Sequence, residues 1–296
     1  MSDLLPPGST IGVLGGGQLG RMLTIVARRM GYRVVSWVGG PDSGPAGLAD
    51  LVLENSFECP EGLDRFLQES DVATVEFENI PRDLLEKVAE RIPLRPNARA
   101  ITICQHRERE KTFLSDNGFP CAPFSLIDSA ESLGDALQGL PDSGGILKTA
   151  EFGYDGKGQL PVSREADPVS TWSAFDAPRA VLEDKIVLAG ELSVLVVRDA
   201  AGNLATYDPV ENHHRDHILD ISVVPARIPP PIQEQAREVA IGVAEALEYI
   251  GILAVEFFLS GEGALLVNEM APRPHNSGHH TIDACTASQF EQQLRA

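Results

Sequence analysis

Two glutamates sit in stretches that otherwise read as buried strands. Glu256 lies inside Leu253-Ala254-Val255-Glu256-Phe257-Phe258-Leu259, and Glu269 ends Ala264-Leu265-Leu266-Val267-Asn268-Glu269. An ionised carboxylate in so apolar a strand must be paired, protonated or bound to a metal. The intervening Ser260-Gly261-Glu262-Gly263 fits a hairpin with Gly261 first in a two-residue II′ turn. That register sets Glu256 opposite Val267 and puts Glu269 on the face of Val267. The carboxylates are then diagonal neighbours, with backbone positions on the order of 7–8 Å apart. Side chains of that length converge on a hard cation, and Mg2+ takes oxygen ligands completed by phosphates and water. A loop one residue longer would send them to opposite faces. The competing reading is an ion pair from one carboxylate to Arg273.

Beyond Glu269 the chain runs Ala271-Pro272-Arg273-Pro274-His275-Asn276-Ser277-Gly278-His279-His280, dense in anion-binding and hydrogen-bonding groups. His275, His279 and His280 raise the question of zinc, but their spacing fits no standard ligand set and no cysteine partner accompanies them. Polar contacts to a substrate are the preferred reading. Glu211-Asn212-His213-His214-Arg215-Asp216-His217 poses the same question and is read the same way, as a polar loop near a nucleotide.

Two glycine loops suggest anion binding. Gly15-Gly16-Gly17-Gln18-Leu19-Gly20 follows an apolar run and opens a helical pattern, the context of a dinucleotide fingerprint. The acidic residue that should end the next strand is missing, since that strand ends Ser36-Trp37-Val38-Gly39-Gly40. A nicotinamide-dependent dehydrogenase is therefore disfavoured. A tight turn, or amides aimed at a phosphate or carboxyl group of another ligand, remain open. The second loop, Glu151-Phe152-Gly153-Tyr154-Asp155-Gly156-Lys157-Gly158-Gln159, follows a strand carrying Lys148. Flexible backbone there closes over phosphate oxygens while the lysines supply charge, although a solvent-exposed hairpin turn explains it too. It is not a Walker A loop.

These groups need a frame. Apolar runs at 10–14, 32–38 and 71–77 alternate with helical stretches such as 18–30, closed by Gly31, and predict βαβ units in a doubly wound sheet. A charged helix is expected near 106–117, ended by Gly118, then a strand at 146–149 and a short helix at 167–174. Strands at 192–198, 253–259 and 264–268 enclose a long helix over 232–249, started by Pro229-Pro230-Pro231. The four cysteines, Cys59, Cys104, Cys121 and Cys285, form no CxxC pair and read as buried free thiols. A formal charge of −19 argues against a nucleic-acid partner. No apolar run nears the ~20 residues that span a bilayer, and the N-terminus lacks the pattern of a secretory signal. No membrane partner and a cytoplasmic location are the expectations.

Four motifs then occur in one order: Gly15-Gly16-Gly17-Gln18-Leu19-Gly20-Arg21-Met22, Glu76-Phe77-Glu78-Asn79-Ile80-Pro81, Phe152-Gly153-Tyr154-Asp155-Gly156-Lys157-Gly158-Gln159, and Asn268-Glu269-Met270-Ala271-Pro272-Arg273-Pro274-His275-Asn276-Ser277-Gly278-His279. Over essentially its whole length the chain resembles the 5-(carboxyamino)imidazole ribonucleotide synthases, ATP-grasp ligases of purine biosynthesis. The resemblance implies an α/β protein with an ATP-grasp fold preceded by a Rossmann-like, doubly wound domain. It implies a first domain over 1–104, an ATP-grasp lid over 105–182 and a large subdomain with the metal site over 183–296. It implies ATP and Mg2+ as cofactors, and 5-aminoimidazole ribonucleotide and bicarbonate as substrates. ATP phosphorylates bicarbonate, and carboxyphosphate, or CO2 released from it, carboxylates the exocyclic amine. A homodimer is implied as well.

By resemblance, Arg107, Lys148, Gly153, Tyr154, Asp155, Gly156, Lys157, Gly158 and Gln159 contact ATP. So do Glu183, Asp184, Lys185 and Ile186, whose backbone reads adenine, together with Glu191, His214, Asn268 and Glu269. Glu256 and Glu269 bind magnesium. Arg273, His275, Asn276 and Lys157 serve bicarbonate and the transferred phosphoryl group. Gly17, Gln18, Leu19, Glu76, Tyr154 and Asp155 face the aminoimidazole. His106 stands where the family usually has aspartate and His217 where glycine is common, neither at an implied ligand position. Family members continue past the position of Ala296 into a small domain with basic anchors for the ribose phosphate, so weakened substrate binding is an expectation for this chain. Another ATP-grasp ligase, such as a formate-dependent glycinamide ribonucleotide transformylase or a biotin carboxylase-like enzyme, and a non-catalytic nucleotide-binding module are the alternatives.

Overall fold

In the computed structural model, which describes residues 4–41, 44–45, 47–151 and 157–296, three sheets follow one another along the chain. The first is parallel, with β1 (Thr10–Leu14), β2 (Arg33–Trp37), β3 (Leu51–Leu53) and β4 (Val72–Val75) in the order β3-β2-β1-β4. Its strands are apolar on both sides, so both faces must be covered. Ile11, Val13 and Val34 pack with Leu19 and Leu23 of α1 (Gln18–Arg29). Leu14, Val35 and Trp37 pack with Phe66 of α2 (Pro60–Glu69) and with Leu84 and Leu85 of α3 (Arg82–Ala89) on the other side. The doubly wound arrangement read from the sequence is present. Strand β4 stops at Val75, two residues short of the expected end, and the Glu76 N–H still donates to the Leu14 carbonyl of β1.

The chain then forms α4 (Ala98–Cys104) and α5 (Arg107–Asp116) before a small antiparallel sheet. That sheet joins β5 (Phe124–Ile127), β6 (Gly145–Thr149), β7 (Gln159–Val162) and β8 (Ala180–Asp184) in the order β5-β8-β6-β7. Helices α6 (Ala130–Gln138) and α7 (Pro168–Phe175) complete it, around Leu133, Leu137, Leu147 and Leu182. Although α5 lies on the lid side of the implied boundary at residue 105, its Phe113 and Leu114 are buried in the core of the third sheet.

The third sheet runs β12 (Ile218–Val223), β11 (Val210–Arg215), β9 (Leu188–Arg198), β13 (Gly251–Ser260) and β14 (Leu265–Ala271), with β10 (Leu204–Thr206) on β9. Alternation along its strands assigns the two faces. Leu192, Val194, Val255, Phe257 and Val267 point to α8 (Pro230–Ala246), whose Ala236, Ala240 and Ala244 let the helix lie close. Register puts Ser193 opposite Glu256 and Glu256 opposite Glu269, so Glu191, Ser193, Glu256 and Glu269 share the other face. After β14 come a 3-10 turn (Asn276–Gly278), α9 (Thr281–Ala284) and α10 (Gln289–Arg295). Helix α10 ties the first sheet to the third. Gln293 Nε2 donates to Thr74 Oγ1 at 3.0 Å, and its Oε1 accepts from Ile252 N at 2.8 Å. Among the described residues no helix is long and apolar enough to cross a membrane.

The hairpin between β13 and β14 departs from the sequence expectation twice, and the departures cancel. Ser260 N donates to Ala264 O, Leu259 faces Leu265, and Gly263 has φ +87°, so the loop spans residues 261–263 instead of two residues. Alone, this would set Glu256 opposite Asn268, with Glu269 on the wrong face. The register shifts between Glu256 and Phe257, however, making Asn268 an extra residue on β14 and bringing Glu256 directly opposite Glu269. The carboxylates are direct partners, not diagonal ones.

Candidate ATP and metal site

A cavity of about 420 Å³ opens between the small sheet and the carboxylate face of the third. Arg107, Lys148, Gln159, Glu191, His214, Glu256, Asn268, Glu269, Arg273, His275 and Asn276 line it. Eleven positions singled out in the sequence, spread from Arg107 to Asn276, thus converge on one space. His217 lines it too, which corrects the expectation that this departure lies away from ligand positions.

The charges around the cavity are sorted by side. On the lid side, buried Glu183 holds Lys148 at 2.9 Å and the fully buried Lys111 at 3.3 Å, with Arg107 nearby. One carboxylate serves more than one cation. Burial and the surplus of positive charge push Lys148 down to about 8, against the pull of Glu183. Burial would raise Glu183, but Lys111, Lys148 and Arg107 outweigh it and hold the carboxyl down at about 2. Both shifts describe one excess of cations over anions in a dry site. Among the described residues, Arg107 Nε and Glu183 Oε1 are buried without a hydrogen-bond partner.

On the sheet side the excess is negative. Burial raises Glu269 and the neighbouring Glu256 charge raises it further, with Arg107 at 3.8 Å opposing. Glu269 is nevertheless 45% exposed, its carboxylate open to the cavity. Glu256 is buried; burial would raise it, but the adjoining His275 ring, His214 and Arg273 hold it below the usual carboxylate range. The ion-pair alternative for Arg273 is not what forms, since its Nε donates to Glu78 Oε2 at 2.6 Å. On β11, His214 Nδ1 lies 3.1 Å from Glu191 Oε2, whose hydrogen bond raises the imidazole above its ordinary value.

Other expected positions fall less simply. Gly153, Tyr154, Asp155 and Gly156 lie outside the described residues. Lys157 is exposed. Gly158 has φ +69°, and a Cβ there would meet Thr149 Oγ1 at 2.5 Å, so the end of the loop requires glycine. The N–H groups of Asp184 and Lys185 donate within the fold, to Pro123 O and Gly144 O, and Ile186 is half-buried beyond them. At the first glycine loop, Glu76 itself supplies the anion. Its carboxylate accepts from Gly17 N at 2.9 Å and from Gly20 N at 3.0 Å. The Leu19 side chain is buried in the core. Gln18 reaches the cavity rim, with Nε2 donating to Asn276 Oδ1 at 3.3 Å.

A profile of the ATP-grasp domain matches residues 112–290, and one of the ribonucleotide synthetase preATP-grasp domain matches residues 9–105. N5-carboxyaminoimidazole ribonucleotide synthase of Brucella melitensis is 43% identical over 99% of the chain and 81% of its own length. The enzyme of Bacillus subtilis is 40% identical over 99% of the chain and 77% of its own length. The chain belongs to the N5-carboxyaminoimidazole ribonucleotide synthase family of ATP-grasp ligases. A synthetase of this family in complex with ADP superposes with a TM-score of 0.94 at 38% identity, covering 100% of this chain and 78% of its own. The Aspergillus clavatus synthase, in complex with ADP and 5-aminoimidazole ribonucleotide, gives 0.86 at 30% identity, covering 98% and 76%.

The carboxylate pair in this synthase-family chain fits a hard divalent cation on its own geometry. Two acidic side chains face each other across adjacent strands, oxygen is the only donor type they offer, and Glu269 is raised by its neighbour's charge. Sequence reasoning missed what braces the pair. Lys111 Nζ donates to Asn268 O at 2.9 Å, satisfying the carbonyl of the bulge residue, and Glu110 Oε1 accepts from Met270 N. Both come from α5, read only as a charged helix. Burial pushes Glu110 up to about 8. Glu78 lies in the second of the four motifs, where the sequence alone assigns it no role. Adjacent acidic and basic residues that point inward along a helix are the only signal that finds Glu110 and Lys111.

Proposed function

We propose that this cleft carries out the ATP- and bicarbonate-dependent carboxylation of 5-aminoimidazole ribonucleotide. The supporting observation is the opposed charge imbalance across one cavity, with cations in excess on the lid side and carboxylates on the sheet side. Mg–ATP carries anionic phosphates and a cation together, and it relieves both imbalances at once. Phosphates are assigned to Arg107, Lys148 and the loop ending in Lys157, Gly158 and Gln159. The base is assigned to the segment of Glu183, Asp184, Lys185 and Ile186, and the ribose to Glu191 with His214 beside it. Glu256 and Glu269 would hold Mg2+, with Asn268 adjacent, and bound there it would neutralise charge on the transferring phosphoryl group.

A bicarbonate oxygen attacks the γ-phosphorus and ADP leaves. The exocyclic amine nitrogen then attacks the carboxyl carbon, phosphate leaves, and the amine loses a proton. Arg273, held in place by Glu78, is assigned to the bicarbonate anion, and His275 and Asn276 to positioning beside it. Gln18 is assigned to the aminoimidazole side, with Glu76 fixing the loop that presents it and Leu19 contributing only packing. A homodimer in the cytoplasm completes the proposal and rests on family resemblance alone.

The test is ADP release from Mg–ATP and bicarbonate, with and without 5-aminoimidazole ribonucleotide. Strong stimulation by the nucleotide is expected. Turnover indifferent to it, but stimulated by another amine or carboxylate acceptor, would assign the cleft to a different ATP-grasp ligase.

A further inference from the structure

Behind the carboxylate pair, His275 leads into a chain of polar groups, Ser277, Ser193 and Asn212, that the proposed reaction does not use. His275 Nε2 is 2.9 Å from Glu256 Oε1. His275 Nδ1 accepts the Ser277 backbone N–H at 3.4 Å and lies 2.9 Å from Ser277 Oγ. Ser277 Oγ is 2.8 Å from Ser193 Oγ, and Ser193 Oγ is 3.0 Å from Asn212 Nδ2. Asn212 Oδ1 accepts from Ser222 Oγ at 3.1 Å. Relative exposures are 0% for Ser193, 1% for Ser277, 4% for Asn212 and 9% for Glu256, so water is shut out of the middle of the chain, while Ser222 beyond Asn212 is exposed and the His275 side chain is 13% exposed at the cavity.

Each group's hydrogen inventory fixes the direction of every bond. A carboxylate only accepts, so Nε2 carries the ring hydrogen. A backbone amide only donates, so Nδ1 is bare and the Ser277 hydroxyl donates to it. With its one hydrogen spent, Ser277 Oγ accepts from Ser193. Ser193, its hydrogen spent in turn, accepts from Asn212, which must present its amide nitrogen. The backbone also holds the ring, because Gln289 Nε2 donates to His275 O at 2.8 Å and its Oε1 accepts from His275 N at 2.7 Å.

We propose that Asn212, Ser193 and Ser277 are positioning residues forming a one-way hydrogen-bond relay that locks His275 as the neutral Nε2–H tautomer. The ring then serves as a fixed donor to one oxygen of Glu256 and leaves the other oxygen for the cavity. Groups of this kind behind a metal-binding carboxylate govern its orientation and its affinity for the ion. The relay deepens the reading of the Glu256–Glu269 pair as a cation site. The tautomer itself is read without turnover, so a failed carboxylation assay and a failed relay are separate results.

The experiment is 15N NMR of the histidine-labelled full chain, with the His275 signals identified by their loss in His275→Gln. A pyrrole-like Nε2 and a pyridine-like Nδ1 are expected in the wild type. Asn212→Asp replaces the donor at the far end with an acceptor of the same shape. It is expected to reverse the relay, so that Nδ1 of His275 gains a hydrogen and the apparent Mg2+ affinity in ATP turnover falls about 10-fold, with a smaller change in kcat at saturating Mg2+. A wild-type Nδ1–H signal overturns the proposal. So does a folded Asn212→Asp variant whose His275 spectrum is unchanged. The wild-type spectrum decides alone if that variant does not fold.

Discussion

At the end of β1, the amides of Gly17 and Gly20 at the start of α1 point at Glu76, a carboxylate that the chain itself supplies. Across the molecule, Lys148 and Lys111 share a single carboxylate, Glu183, and Arg107 stands beside that cluster at 3.8 Å from Glu269, while Glu256 and Glu269 face each other. Both regions have glycine loops and concentrated charge, so in sequence they look like two anion sites. The first is closed on itself, with helix dipole and carboxylate compensating each other. The second is left with opposite surpluses on its two walls. Charge that stays uncompensated in a dry cleft costs stability, and a bound ligand is what removes that cost. The difference separates a glycine loop whose amides the chain itself satisfies from a cleft whose charges call for a ligand more sharply than the motif does.

Substitutions on the two regions should therefore behave differently. The largest effect is expected at the carboxylate pair. Glu269→Gln should lower ATP turnover by about 10³-fold, the several kcal/mol that a bound cation supplies, while the variant unfolds at least as late as the parent. A variant with near-normal turnover would remove Glu269 from the metal site. Lys111→Met comes next. It leaves the Asn268 carbonyl and part of the Glu183 charge buried without a partner, and should cost about 3 kcal/mol in urea unfolding. An unchanged urea midpoint would show that Lys111 does not brace the bulge.

Lys148→Met should raise the KM for ATP about 10- to 100-fold, the range expected for losing a hydrogen bond to a charged group. Proton linkage gives its sign. In the free protein Lys148 sits at about 8, below its ordinary value, because of burial and the nearby cations. Phosphates that restore its pKa must drive proton uptake on binding, about half a proton at pH 8 and vanishing toward pH 6. Calorimetry in buffers of different ionisation enthalpy reads this directly, and the uptake should be missing in Lys148→Met. The smallest effect is expected at the first loop. Glu76→Gln should cost about 1 kcal/mol of stability by weakening the bonds to the Gly17 and Gly20 amides, with ATP affinity unchanged. A large loss of ATP affinity would mean that the two regions are not independent.

Much of this frame is legible in the sequence because long apolar runs and helix-ending glycines are local signals. The parallel strands β1 and β2, helix α1 ending at Gly31, α8 after its prolines, and the strands bearing Glu256 and Glu269 all stand near where their residues place them. The bulge does not announce itself. It depends on Asn268 being an extra residue whose carbonyl is met by Lys111, a contact 157 residues apart along the chain. Strands β5, β7 and β8 are short, and β5 and β7 are partly exposed, so they carry little periodicity. The polar relay is equally silent, because single serines and an asparagine look like surface until the register of β9, β11 and the 3-10 turn brings them together.

The most direct measurement follows carbon. The protein would be given Mg–ATP, 13C-bicarbonate and 5-aminoimidazole ribonucleotide with a 15N-labelled exocyclic amine, and the product examined by NMR while ADP is counted. The expected result is a 13C carboxyl coupled to that 15N, formed one for one with ADP. ADP accumulating without any carbon–nitrogen coupling would contradict the assignment of this cleft as a nucleotide-carboxylating site.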